Sequence, residues 1–128
     1  MALRDMLRVL VIDDMSTSRG LLLQALDSLG IQNVSYAEDG AQGVQQARKS
    51  PPHIVLSDLY MPELNGLQVL QHLRSDPVTQ KVGFILITGR GDDSIIDTGR
   101  KLGMNNFLTK PFTPALLKDC IEAVVGRL

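Results

Sequence analysis

Apolar residues recur along the chain with two periods. Val9-Leu10-Val11-Ile12 and Phe84-Ile85-Leu86-Ile87 are uninterrupted apolar runs with polar ends, which predicts strands over Arg8 to Ile12 and Phe84 to Thr88. Ile54-Val55-Leu56 marks a third over His53 to Ser57, and Asn33 to Tyr36 and Asn106 to Thr109 are shorter ones. Runs that are apolar on both faces suit parallel strands covered by helices on both sides.

Between and after these runs the spacing becomes helical. Leu22, Ala25, Leu26 and Leu29 share one face, with Ser16 or Thr17 as cap and Gly30 as stop. Ala41, Val44 and Ala47 are spaced three apart and end before Pro51-Pro52. Leu67, Leu70 and Leu73 follow Gly66. Ile95, Ile96, Gly99 and Leu102 follow Asp92 or Asp93 as cap. In the last helix Thr113 is the cap and Pro114 suits the first turn, ahead of a stripe of Leu116, Leu117, Cys120, Ile121, Val124 and Val125. Strand and helix therefore alternate five times, which predicts an α/β domain with a parallel sheet between helices and right-handed crossovers.

Composition narrows the picture. The 128 residues suit a single domain over 1–128, and 44% apolar with 21% charged residues is the balance of a folded globular chain. Lys and Arg number 13 against 14 acids, so no basic excess calls for nucleic acid. The longest apolar runs are four residues, where a membrane span needs about 20. The first residues carry no secretion signal, and the single Cys120 forms neither an internal disulfide nor a zinc site. A cytoplasmic protein with no membrane or nucleic-acid partner is expected.

Open parallel sheets bind ligands beyond the carboxyl ends of their strands. Strand one ends in Asp13-Asp14, strand three in Asp58, strand four in Thr88 and strand five in Lys110. If the sheet order makes these strands neighbours, three carboxylates, a hydroxyl and an ammonium converge. Like charges disfavour mutual ionisation, and a divalent cation relieves the repulsion. Oxygen donors without thiolate or imidazole suit Mg²⁺. A carboxylate is also a nucleophile towards phosphorus, and phosphoryl transfer needs mainly positioning and charge neutralisation, which Mg²⁺, Lys110 and Thr88 would supply.

Val11-Ile12-Asp13-Asp14, Ser57-Asp58-Leu59-Tyr60-Met61-Pro62, Gly66, Ile87-Thr88-Gly89 and Thr109-Lys110-Pro111-Phe112, taken together, resemble the receiver domain of bacterial two-component response regulators. The resemblance covers essentially the whole chain and is greatest to the stand-alone chemotaxis type. It implies a flavodoxin-like (βα)5 fold, a five-stranded parallel sheet in the order 2-1-3-4-5 with helices on both faces. It implies that Asp58 is the phosphoacceptor and that Asp14, Asp58 and the backbone carbonyl of Tyr60 bind Mg²⁺ directly, with Asp13 acting through a metal-bound water. Lys110 would pair with Asp58 and then with the phosphoryl group, and Thr88 would close over it. Phe107 would rotate inward, changing the surface of the fourth predicted helix, the fifth strand and the last helix. The Lys110-Pro111 bond would be cis.

The implied partners are a chemotaxis-type histidine kinase as donor, a flagellar switch protein as target and a phosphatase, with the chain a monomer. The implied alternative is a phosphorelay shuttle or phosphate sink that passes the group to a histidine phosphotransfer protein. Apart from its own phosphorylation and dephosphorylation, no catalysis is implied. Three positions depart from the chemotaxis pattern. Phe107 replaces a common tyrosine, Tyr60 replaces asparagine two residues after Asp58, and Arg90 replaces an acid two residues after Thr88. Tyr60 is expected to alter the dephosphorylation rate by shielding or orienting the attacking water, and the reversed charge at Arg90 is expected to change kinase and phosphatase preference.

Two other functions use similar parts. A haloacid-dehalogenase-type phosphatase places its nucleophile two residues before a second Asp on strand one, whereas Asp13 and Asp14 are adjacent. A flavodoxin-like binding module needs a first loop rich in Ser, Thr and Gly, and an acidic loop repels phosphate unless a metal is present. Gly89-Arg90-Gly91 is no phosphate loop, since no Gly-Lys-Ser/Thr follows. His53 and His72 lie apart, and Met15 is expected to pack beside the site. No linker or DNA-binding segment appears before Leu128, so a stand-alone protein is expected.

Overall fold

Each central strand is covered on both faces, and the sheet is built accordingly. The computed structural model describes residues 2–89 and 92–128. After a short helix α1 (Leu3–Met6) the chain alternates β1 (Val9–Ile12), α2 (Ser16–Ser28), β2 (Val34–Ala37), α3 (Gly40–Lys49), β3 (Ile54–Asp58), α4 (Gly66–Ser75), β4 (Gly83–Thr88), α5 (Asp93–Lys101), β5 (Asn106–Thr109) and α6 (Pro114–Val125). The strands form one parallel sheet in the order β2-β1-β3-β4-β5. Among the described residues no helix is long and apolar enough to cross a membrane.

Strand periodicity sorts the core into two halves. Val9 and Val11, Ile54 and Leu56, Ile85 and Ile87 point to one face, where α2 and α6 bring Leu22, Leu26, Leu117 and Ile121. Leu10 and Ile12, Val55, Phe84 and Leu86 point to the other, against Ala47 of α3 and Val69, Leu70 and Leu73 of α4. β1 and β3 are buried at every position, which is why they read as continuous apolar runs. Cys120 is part of the first core half, where burial pushes its thiol up to about 11.

The predicted stops and caps hold in most places. Gly30 (φ +79°) ends α2, its N–H donating to Asp27 and that of Ile31 to Leu26, which closes the helix with two bonds that need a left-handed residue. Thr113 caps α6 with Pro114 in its first turn, and Asp92 caps α5. Four features differ. β2 lies one residue further along than predicted, because its middle residues are exposed at the sheet edge and give no apolar run. β3 is shifted by one residue as well, to Ile54–Asp58, because the polar Ser57 and Asp58 continue the buried strand beyond its apolar run. Helix α1 is too short to carry a period. Neither Ser16 nor Thr17 caps α2: the cap residue is Met15, and its N–H is satisfied by the carboxylate of Asp13 at 3.0 Å.

The turn after β3 brings α4 against the end of that strand. Gly66 N–H donates to Leu59 carbonyl at 2.8 Å, and Asn65 caps α4 in a reciprocal pair with Gln68. A Cβ on Gly66 would collide with the carbonyl oxygen of Asp58 and stand 2.8 Å from Leu86 Cδ1. Gly66→Ala is therefore expected to cost about 2 kcal/mol, seen as a lower denaturant midpoint, because backbone rather than a flexible side chain must yield. An unchanged midpoint would mean that α4 is free to draw back from Asp58.

Candidate functional site

The strand order makes β1, β3, β4 and β5 neighbours, so their carboxyl ends open on one crevice. Asp58 and Thr88 are the last residues of β3 and β4, while Asp13-Asp14 and Lys110 directly follow β1 and β5. The structure thus brings together Asp13, Asp14, Asp58 and Lys110, as the sequence predicts, with Thr88 on the strand between Asp58 and Lys110. One carboxylate oxygen from each of Asp13, Asp14 and Asp58 lies within 4.8 Å of the other two. The Lys110 N–H donates to the Thr88 carbonyl at 2.9 Å, tying the lysine-bearing turn to β4. The Lys110-Pro111 bond is cis.

Each acid is held differently. Asp13 is fully buried: one oxygen accepts from Met15 N–H, and its backbone carbonyl accepts from the Arg19 guanidinium at 2.9 Å. Asp58 is nearly buried, and its Oδ1 accepts from Leu59 N–H at 2.9 Å. Lys110 Nζ stands 3.5 Å from Asp58 Oδ1 and 3.8 Å from Asp13 Oδ2. Burial pushes the Asp58 carboxyl above its ordinary value; the Lys110 charge opposes this and the Asp13 charge adds to it.

Two oxygens are left over. Asp13 Oδ2 and Asp14 Oδ1 are buried and accept no hydrogen bond among the described residues. Orphaned buried carboxylate oxygens are costly, and these two lie on acids whose oxygens cluster with one of Asp58. The set fits a hard divalent cation with oxygen ligands, Mg²⁺ above all, since no thiolate or imidazole belongs to it.

The remaining predicted residues lie around this centre. Tyr60 is in the loop after β3 with its ring exposed. Phe107 is half-buried on β5 beside Leu86, packed against the core half that holds α4, and its carbonyl accepts from the Cys120 thiol. Arg90 lies outside the described residues. Met15 corrects its expectation: its side chain is 60% exposed rather than packed beside the acids. It borders an open groove of about 730 Å³ between α2 and the Lys110–Pro114 segment, together with Leu21 and Phe112.

Sequence reasoning misses Ser18 and Arg19. Ser18 Oγ accepts from Lys110 Nζ at 2.7 Å. Arg19 lies 5.1 Å from the centre of the Tyr36 ring and 3.9 Å from Glu38, besides holding the Asp13 carbonyl. Both follow the acidic loop by one helical turn, so their reach back to it was open to a helix-phase argument.

Residues 9–122 match the family model of the response regulator receiver domain. The chain is 42% identical over 128 residues to a probable chemotaxis protein CheY of Rhizobium etli, covering 100% of this chain and 99% of that protein. It is 36% identical over 121 residues to the chemotaxis protein CheY1 of Helicobacter pylori, covering 94% and 98%. Among solved structures it resembles the receiver domain of a sensor histidine kinase from Pseudomonas aeruginosa, which has a magnesium ion coordinated in its active-site cleft. The TM-score is 0.85 at 26% identity, covering 94% of this chain and 98% of that one.

Proposed function

The chain belongs to the response regulator receiver domain family, and on that footing we propose that Asp58 accepts a phosphoryl group from a phosphohistidine kinase. The supporting observation is the strand-end cluster: a nearly buried carboxylate with an ammonium 3.5 Å away and two orphaned acid oxygens beside it. An Asp58 carboxylate oxygen attacks phosphorus, the phosphorus–nitrogen bond to the donor imidazole breaks, and its electron pair stays on the imidazole. Asp13, Asp14, Asp58 and the Tyr60 carbonyl would hold Mg²⁺, which when bound neutralises charge on the transferring oxygens. Lys110 neutralises charge from the other side, and the Thr88 hydroxyl closes on the phosphoryl oxygens. Water later hydrolyses the acyl phosphate. The chain turns over no separate substrate.

The phosphorylated state then biases two arrangements of the α5-β5-α6 surface, with Thr88 and Phe107 as the moving parts. The output proposed is chemotaxis signalling, the role that the names of the relatives carry, in the cytoplasm by a monomer that binds a flagellar switch protein. Phe107 lacks the hydroxyl of the usual tyrosine, so that interface forms without its hydrogen bond. A chemotaxis-type kinase carrying labelled phosphohistidine provides the test. Label is expected to move to this chain when Mg²⁺ is present and to stay on the kinase when it is chelated. The phosphorylated chain alone is expected to bind a flagellar switch peptide. Transfer without any phosphorylation-dependent peptide binding, followed by rapid return of the label to a histidine phosphotransfer protein, would replace the motor output with a phosphate sink.

A further inference from the structure

We infer that Ser18 is a positioning residue for Lys110, its hydroxyl holding the ammonium at the rim of the crevice and off the carboxylate oxygens that would take the metal. The inference rests on the proposed function only for the identity of that metal. An ammonium has three donors and bonds more strongly to a carboxylate than to a neutral hydroxyl. Here the order of distances is reversed. Lys110 Nζ is 2.7 Å from Ser18 Oγ, 3.5 Å from Asp58 Oδ1 and 3.8 Å from Asp13 Oδ2. The buried Asp13 Oδ2 receives no hydrogen bond although this cation is its neighbour.

The position of Ser18 is set by the same acid. Asp13 accepts from Met15 N–H through its side chain and from Arg19 through its carbonyl, so the first turn of α2, which carries Ser18, is fixed relative to the carboxylate. An ammonium that settled between Asp13 and Asp58 would neutralise them in the metal's place and would have to be displaced. Held on Ser18, it stays close enough to turn towards Asp58 when phosphoryl oxygens arrive.

Calorimetric titration of Mg²⁺ into the intact protein tests this. Ser18→Ala is expected to weaken Mg²⁺ binding roughly three- to tenfold, the scale of one added cation repelling another in a partly screened site. Ser18→Thr, which keeps the hydroxyl, should bind within about twofold of wild type. In a Lys110→Met background Ser18→Ala should have no further effect, a non-additivity that a purely structural role would not produce. Equal affinity of Ser18→Ala and wild type, or the same weakening with Lys110 absent, would overturn the inference, as would a wild type that binds no Mg²⁺. None of these titrations needs phosphoryl chemistry. Serine-dependent Mg²⁺ affinity in a protein that takes no phosphoryl group would uphold the role of Ser18 and remove the proposed function instead.

Discussion

Asp58→Asn is expected to abolish phosphoryl acceptance and, in metal-free buffer near neutral pH, to make the domain more stable. The acceptor oxygen is lost because an amide is not a nucleophile towards phosphorus under these conditions. Stability rises because the substitution removes a charge that burial and the Asp13 carboxylate both disfavour. Neutralising such a group is worth about 1 kcal/mol, or roughly 3–5 °C in Tm for a chain of this length. The pH dependence follows the same sign. The carboxyl of folded Asp58 titrates above the ordinary 3.8 of the unfolded chain. The folded state therefore binds more protons in that interval, and stability falls as pH rises through it. This contribution is absent below the ordinary value and fully unfavourable above the folded one. Asp58→Asn should remove it. Mg²⁺ should raise the Tm of wild type much more than that of the variant, because a ligand stabilises only the state that binds it. A lower metal-free Tm for Asp58→Asn would mean that the Lys110 attraction outweighs burial.

Lys110→Met should separate metal binding from transfer. The ammonium is the second influence on Asp58 after burial, and the larger of the two partners that lower its carboxyl, ahead of the Leu59 N–H. Without it the Asp58 carboxyl moves further up, and Mg²⁺, freed from a cation 3.5 Å from one ligand and 3.8 Å from another, binds several-fold more tightly. Transfer from a small phosphodonor at saturating Mg²⁺ should nevertheless fall by about 10²–10³-fold, the usual loss when one fixed donor to a developing charge is removed. Tighter metal binding with slower chemistry is the signature of a group that acts on the phosphoryl oxygens. If rate and affinity fell together, Lys110 would instead be holding the carboxylates in place.

Much of this architecture was legible because the physics that builds it is local. Buried parallel strands must be apolar on both faces, so β1, β3 and β4 announced themselves. The acids and the lysine could be placed at strand ends as soon as the strands were, and the sheet order did the rest. What stayed hidden depended on distant partners. The edge strand β2 has two exposed middle residues and no period strong enough to fix its register. The cap residue of α2 is Met15, whose N–H is held by Asp13, so the hydroxyls of Ser16 and Thr17 are false signals. Ser18 reads as an ordinary surface residue in sequence, and only its 92-residue separation from Lys110, closed by the fold, reveals its contact. The departure at Phe107 was visible as a letter, but its half-buried packing against the core half that holds α4 was not.

The central claim is that Asp58 is a Mg²⁺-dependent phosphoacceptor. Its most direct test is intact mass after incubation with a small phosphodonor, with the modified residue located by chemical reduction of the acyl phosphate and peptide mapping. The account predicts one phosphoryl group, on Asp58 alone, gained with Mg²⁺ and not after chelation. A folded, Mg²⁺-bound protein that gains none from several donors, or gains it on another residue, would contradict it.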